Sequence, residues 1–133
     1  MTRRRRWRFD VDGCLVDSFA GTSLRPHAAE LLGALKAAGY EVTVWSAGGA
    51  DHAARVLDRV GIAHFVDGVH DKDRGPDGRW TLDDVDAADL VCVDDQPEGL
   101  PDGVEAVAVF PYIGPDPNDR ALQRILETLG SQG

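Results

Sequence analysis

Short apolar runs recur along the chain, and several end on a residue that can do chemistry. Trp7-Arg8-Phe9 leads into Asp10, Val42-Thr43-Val44-Trp45 into Ser46, and Leu90-Val91-Cys92-Val93 into Asp94. Phe65-Val66-Asp67-Gly68-Val69 and Val104-Glu105-Ala106-Val107-Ala108-Val109-Phe110 have the same character. Runs this short and this apolar predict about five strands buried on both faces. Between them the apolar spacing becomes helical. After Arg25-Pro26, residues Leu31, Leu32 and Leu35 share one helix face, with Pro26 near the first helical position and Gly39 as the stop. Ala53, Val56, Leu57 and Val60 make a second such face, from Ala50 to Val60 before Gly61. In the last stretch Asp116 is the expected N-cap and Pro117 the first helical residue, with Leu122, Ile125, Leu126 and Leu129 as the buried stripe. A weaker helical pattern covers Leu82 to Ala87.

Strand and helix alternate, which predicts an α/β fold: a doubly wound, Rossmann-like parallel sheet of about five strands. In such sheets ligands bind beyond the carboxyl ends of the strands. Asp10 and Asp12, Ser46, and Asp94 and Asp95 all fall there, so three strand ends are expected to converge on one crevice. Asp73-Arg74-Gly75-Pro76-Asp77-Gly78-Arg79 reads as a turn or short hairpin. No internal repeat interrupts the 133 residues, and one domain is expected over 1–133 with a basic arm at 1–6.

Charge and cysteine content narrow the function classes. The formal net charge is −9, and Arg3, Arg4, Arg5, Arg6 and Arg8 account for +5, leaving −14 on the rest. An acidic body disfavours nucleic-acid backbones and anionic membranes, with the arginine run as a local exception that could touch nucleic acid. Cys14 and Cys92 sit inside apolar runs without metal-ligand spacing, which reads as reduced thiols in a cytoplasmic protein rather than a disulfide framework. No stretch is long and apolar enough to span a membrane, and none is expected to.

Two carboxylates one residue apart at the end of a strand call for a reason, since they repel. A carboxylate there can attack a phosphoryl group and form an acyl-phosphate, splitting a difficult step into two. A second one two residues on can protonate the leaving oxygen and later take a proton from water. Gly13 lets the backbone turn so that N–H groups approach phosphate oxygens. Magnesium would offset the repulsion and takes oxygen ligands, among them Asp94. Ser46 and an ammonium group would hold the remaining phosphate oxygens. The chain has two lysines; Lys36 lies within a helical pattern, so Lys72, after the third predicted strand, is the expected one.

Asp10-Val11-Asp12-Gly13-Cys14-Leu15-Val16-Asp17-Ser18, Trp45-Ser46-Ala47-Gly48, Lys72 and Val93-Asp94-Asp95-Gln96-Pro97 resemble, in order, the four motifs of the haloacid dehalogenase superfamily. The resemblance implies a capless phosphatase, because only Phe19 to Leu24 separates the first motif from the helix that follows. It implies Asp10 as nucleophile and Asp12 as general acid/base, with Gly13, Ser46, Ala47 and Lys72 around the phosphate. Magnesium would then be held by Asp10, the main-chain carbonyl of Asp12, Asp94 and Asp95. Leu24-Arg25-Pro26, the stretch from Val42 to Ala47 and Asp94-Asp95-Gln96-Pro97 are also similar in order to the phosphatases acting on the C-terminal tail of RNA polymerase. The expected function is a magnesium-dependent phosphomonoester hydrolase with an aspartyl-phosphate intermediate, acting on a phosphorylated small molecule or macromolecule. The alternatives are a catalytically silent module that binds a phosphorylated partner, and a polynucleotide-end phosphatase.

Other polar and aromatic residues have plainer readings. Asp17 reads as a turn cap, and His27, His52, His64 and His70 as surface or core-edge residues, with His70 the one to watch because it precedes Lys72. Trp45 reads as core, Trp80 as a loop anchor or a substrate-facing aromatic, and Cys14 as a packing residue that oxidation could reach from the site.

Overall fold

The apolar runs form a five-stranded sheet, parallel throughout, in the order β3-β2-β1-β4-β5. It is seen in a computed structural model that describes residues 4–131. The strands are β1 (Arg6–Asp10), β2 (Glu41–Ser46), β3 (Gly68–Asp71), β4 (Leu90–Asp94) and β5 (Glu105–Ala108), and the helices α1 (Ala28–Ala37), α2 (Ala50–Arg59) and α3 (Ala121–Ser131). The chain starts at the centre, steps outward to β3, then crosses back over to β4. That reversal at β1 is the switch point where open α/β sheets bind ligands. Register brings the ends level: Phe9 pairs with Val44 on one side and with Val93 on the other.

Side-chain alternation gives the sheet two unlike faces. Trp7, Phe9, Val42, Val44, Val91 and Val93 pack with Leu31, Leu32 and Leu35 of α1, Val56 and Leu57 of α2, and Leu122 and Ile125 of α3. The intervening residues point the other way, where Trp45, Leu90 and Cys92 meet Trp80, Leu82, Val85, Leu100 and Val104. The topology is doubly wound, but this second face is covered by the β3–β4 and β4–β5 connections. Their only helical pieces among the described residues are two 3-10 turns, Ala87–Asp89 and Pro97–Gly99.

The arginines of β1 belong to that second face. Arg8 is buried; its Nε donates to Thr43 Oγ1 at 3.0 Å, its guanidinium holds both carboxylate oxygens of Asp84 at 3.2 and 2.5 Å, and its Cζ lies 5.2 Å from the Trp45 ring centre. Arg4 donates to the carbonyls of Ala87, Leu90 and Gly103. Arg4, expected in a basic arm, thus ties the start of β1 to the connections on either side of β4, and Arg6 of the same expected arm lies inside β1. Met1 to Arg3 lie outside the described residues.

Several boundaries differ from the pattern, each for a local reason. No helix forms over Leu82 to Ala87, because Asp84 is drawn to Arg8, and only the last of those residues enters the 3-10 turn that Asp86 caps through Ala88 N at 3.1 Å. The first helix begins at Ala28 rather than at Pro26, since His27 has a left-handed φ of 69°. Asp116 caps an earlier turn through Asn118 N at 3.0 Å, and Asp119 takes over at α3 by accepting from Ala121 N at 3.2 Å. Phe65 leaves the expected third strand for a 3-10 turn and packs on α1, where a Cβ on Gly33 would stand 3.3 Å from its ring. The loop from Asp73 to Arg79 closes as a hairpin, with Arg74 bridged to Trp80.

There is no separate cap domain among the described residues. Phe19 to Leu24 forms a small flap, pinned where Val16 bridges Leu24 and Asp17 N donates to Ser23 O at 3.1 Å. The Asp17 carboxylate, buried, accepts from the backbone N–H groups of Ala20, Gly21, Thr22 and Ser23. These bonds, led by Ala20, hold its pKa below the usual 3.8. Among the described residues no helix is long and apolar enough to cross a membrane.

Candidate active site

Four strand ends each deliver one group. Asp10 closes β1, Ser46 closes β2, Asp94 closes β4, and Lys72 follows β3 directly. The Lys72 ammonium donates to Asp10 Oδ1 at 3.3 Å and to Asp94 Oδ2 at 2.8 Å, and it lies 5.5 Å from the Trp45 ring centre and 4.7 Å from that of Trp80. Its own N–H donates to Ser46 O at 3.0 Å, which locks the ends of β2 and β3 together. Asp94 Oδ1 is fixed by Gln96 N at 2.8 Å. Ser46 Oγ accepts from Gly48 N at 3.0 Å, which leaves the hydroxyl its proton to donate. Asp10, Asp12, Ser46, Ala47, Lys72 and Trp80 line a crevice of about 240 Å³. A larger groove of about 280 Å³ between β5 and α3 has Arg124 as its one charged wall, among mostly apolar residues.

The electrostatics are unbalanced. One oxygen from each of Asp10, Asp94 and Asp95 lies within 4.8 Å of the others, and one ammonium faces them. Burial pushes the Asp10 carboxyl up to about 8, with Lys72 pulling it down and Asp94 and Asp95 adding to the rise. Burial also raises Asp94. Burial alone would lower Lys72, but Asp10 and Asp94 outweigh it and hold the ammonium protonated. Three converging oxygens short of positive charge suit a hard divalent cation. The Asp12 side chain stands outside this group of three.

Glycine at position 13 serves close approach. Its φ is 82°, and a Cβ there would sit 2.8 Å from Asp95 Oδ2. Its N–H closes the turn onto Val16 O at 2.8 Å rather than reaching into the crevice. The turn is clamped from outside. Tyr112 N donates to Gly13 O, and Ser18 N to Tyr112 O, both at 2.8 Å. Buried Arg25 donates to Cys14 O at 3.2 Å and Phe110 O at 2.6 Å while holding both oxygens of Asp119.

Asp12 has a partner that sequence reading missed. Its Oδ2 lies 3.0 Å from Nε2 of His52, in the first turn of α2. The available signal was position: a helix that starts just after a strand end aims its first turn at the crevice. His70, which had seemed the nearer histidine, faces Asp84 at 3.5 Å instead. Trp80 fills both of its readings, anchored against Gly99 and lining the crevice beside Lys72. Cys14 is fully buried, and burial drives its thiol well above the usual range, so it is a packing residue without the thiolate that oxidation needs. Cys92 is likewise pushed up to about 12 by burial.

Solved structures share this architecture. A haloacid dehalogenase-like hydrolase from Streptococcus pneumoniae aligns with a TM-score of 0.68 at 15% identity, covering 100% of both chains. The D,D-heptose 1,7-bisphosphate phosphatase from B. bronchiseptica, solved with magnesium and phosphate, aligns with a TM-score of 0.51 at 16% identity over 93% of this chain and 99% of that one. An uncharacterised protein from Corynebacterium glutamicum aligns with a TM-score of 0.51 at 22% identity over 95% of each chain. At these identities the likeness is one of fold. No curated protein matches the sequence. The sequence model of the NLI interacting factor-like phosphatases, by contrast, matches residues 6–132, a span that takes in every strand and all four motifs. The chain belongs to that family and is a phosphatase of the haloacid dehalogenase type.

Proposed function

We propose that the protein is a magnesium-dependent phosphomonoester hydrolase that carries the phosphoryl group on Asp10. The observation behind this is the Lys72 ammonium held between Asp10 and Asp94 on the crevice floor. An Asp10 oxygen bonds to phosphorus as the bond to the leaving oxygen breaks, and Asp12 gives that oxygen its proton. Asp12 then takes a proton from water, whose oxygen bonds to phosphorus as the Asp10–phosphorus bond breaks. Lys72 and the Ser46 hydroxyl hold the non-bridging oxygens and balance charge that spreads onto them. Asp10, Asp94, Asp95 and the main-chain carbonyl of Asp12 would hold magnesium, which supplies the positive charge that lets Asp10 act as a carboxylate.

The substrate is a phosphorylated macromolecule or a small phosphate ester, and the crevice at the strand ends would receive its phosphoryl group. Two free, buried cysteines suit a reducing cytoplasm. Nucleic-acid contact through the N-terminal arginines stays an alternative, with Arg4 and Arg8 already bonded within the fold. The test is hydrolysis of 4-nitrophenyl phosphate with magnesium and with chelator, for wild type and Asp10→Asn. Turnover that needs magnesium and disappears in the variant supports the reading, whereas undiminished turnover by Asp10→Asn contradicts it.

A further inference from the structure

We infer that His52 is a positioning residue for proton transfer by Asp12, an inference that rests on the reading of Asp12 as general acid/base. The carboxylates of this region are not held alike. Asp10 and Asp94 are gripped by Lys72, Asp94 also by Gln96 N, and Asp17 by four backbone N–H groups. Asp12, whose side chain is 38% exposed, has one hydrogen-bond partner among the described residues, His52. A half-exposed carboxyl with no partner turns freely about its last torsion. A proton donor that must serve the leaving oxygen and then an incoming water has to keep one bearing through both steps. The bond from His52 Nε2 to Asp12 Oδ2 supplies that restraint.

His52 is itself held by the strand ends that build the site. Helix α2 is tethered at its start by Gly49 N to Ser46 O at 3.0 Å and by Ala50 N to Asp71 Oδ1 at 2.7 Å. Ser46 ends β2 and Asp71 ends β3. The imidazole rests on Gly48, where a Cβ would stand 3.0 Å from its Cδ2, so the phosphate loop leaves room for the ring. A run of contacts therefore passes from the phosphate-binding end of β2, through the first turn of α2, to the carboxyl that moves protons. An exposed pair of this kind contributes little to stability; here its effect falls on the chemical step.

Leaving-group dependence separates this role from a structural one. Dinitrophenolate leaves without a proton, whereas an alkoxide needs one. Steady-state kinetics with magnesium are measured for the whole protein, as wild type, His52→Ala and His52→Gln, on 2,4-dinitrophenyl phosphate and on an alkyl phosphate. Expected for His52→Ala is a fall in kcat/KM, which reports transfer to Asp10 and not the water step common to both esters, of about 10- to 100-fold on the alkyl ester and less than about threefold on the dinitrophenyl ester. On the alkyl ester KM stays close to the wild-type value, and His52→Gln, whose amide nitrogen takes the place of Nε2, recovers most of the loss of kcat/KM. An equal loss on both esters, no loss on either, or a Gln variant no better than Ala overturns the inference. Asp10→Asn, assayed alongside, keeps the two readings apart. Turnover persisting in that variant, or absent from wild type on both esters, overturns the proposed reaction and this role with it. A silent Asp10→Asn beside a uniform His52→Ala loss overturns this role alone.

Discussion

On the helix-covered face of the sheet Phe9, Val44 and Val93 are apolar and fully buried, while their neighbours on the same strands, Arg8, Thr43, Trp45 and Asp94, are just as buried under a crossover with almost no regular helix. The first face follows the ordinary logic of a core, in which removing apolar area from water supplies the stability. The second buries ions, which is tolerable only because each is paired: Arg8 with Asp84, and Lys72 with Asp10 and Asp94. Low local dielectric strengthens those pairs. In the proposed reaction the same enclosure would strengthen the attraction of the Lys72 ammonium for phosphoryl oxygens. One alternation of side chains thus gives an apolar core on one side and paired buried charges on the other.

The sharpest break of this contrast is Lys72→Met. It removes charge from the second face while keeping most of the side-chain volume, and kcat is expected to fall about 100- to 1000-fold with the circular dichroism unchanged. Wild-type kcat in that variant would mean that the buried ammonium takes no part. Next come substitutions that empty the first face or unpair the second. Phe9→Ala opens a cavity under the helices, and Asp84→Ala leaves the buried Arg8 guanidinium without its counter-ion; each is expected to cost about 3–5 kcal/mol in urea denaturation. Arg8→Met should cost clearly less than Asp84→Ala, because Asp84, at 32% side-chain exposure, can regain water where Arg8, at 2%, cannot. Equal losses would mean that the arginine is not buried as described.

A pair of opposed pH slopes is expected in metal-free protein. Asp10 sits at about 8 when folded against an ordinary 3.8, so the folded state binds its proton more tightly. Its contribution is fully present below 3.8 and is lost as pH rises to about 8. Asp17 has the opposite sign. Its pKa is lowered from 3.8, so its contribution is present above that value and is lost as pH falls through the folded pKa. Thermal melts with chelator should show Asp10→Asn flattening the first slope and Asp17→Asn the second, and an unaltered slope in either variant contradicts the corresponding assignment.

The helix-covered face was the readable one. The periods of Leu31, Leu32 and Leu35 and of Val56 and Leu57 mark buried stripes because each stripe is local in sequence. Asp10, Ser46 and Asp94 were readable too, since a strand that ends on a polar residue announces itself within a few positions. What escaped depended on pairs distant along the chain. Arg8 and Asp84 are 76 positions apart, and their bond turns a weak helical pattern into loop. Arg25 and Asp119 are 94 apart, and their bond holds Asp119 where it caps the last helix. His52 was missed because a helical residue shows its period but not the direction of its face until the helix is docked.

The most direct measurement is to quench a turning-over mixture of protein, magnesium and phosphate ester in acid and map the phosphoryl group by peptide mass spectrometry. The account predicts a phosphoryl group on the peptide carrying Asp10, absent in Asp10→Asn and accumulating in Asp12→Asn if the second step then limits. Turnover with the phosphoryl group on another residue, or an Asp10→Asn protein that turns over as wild type does, would contradict it.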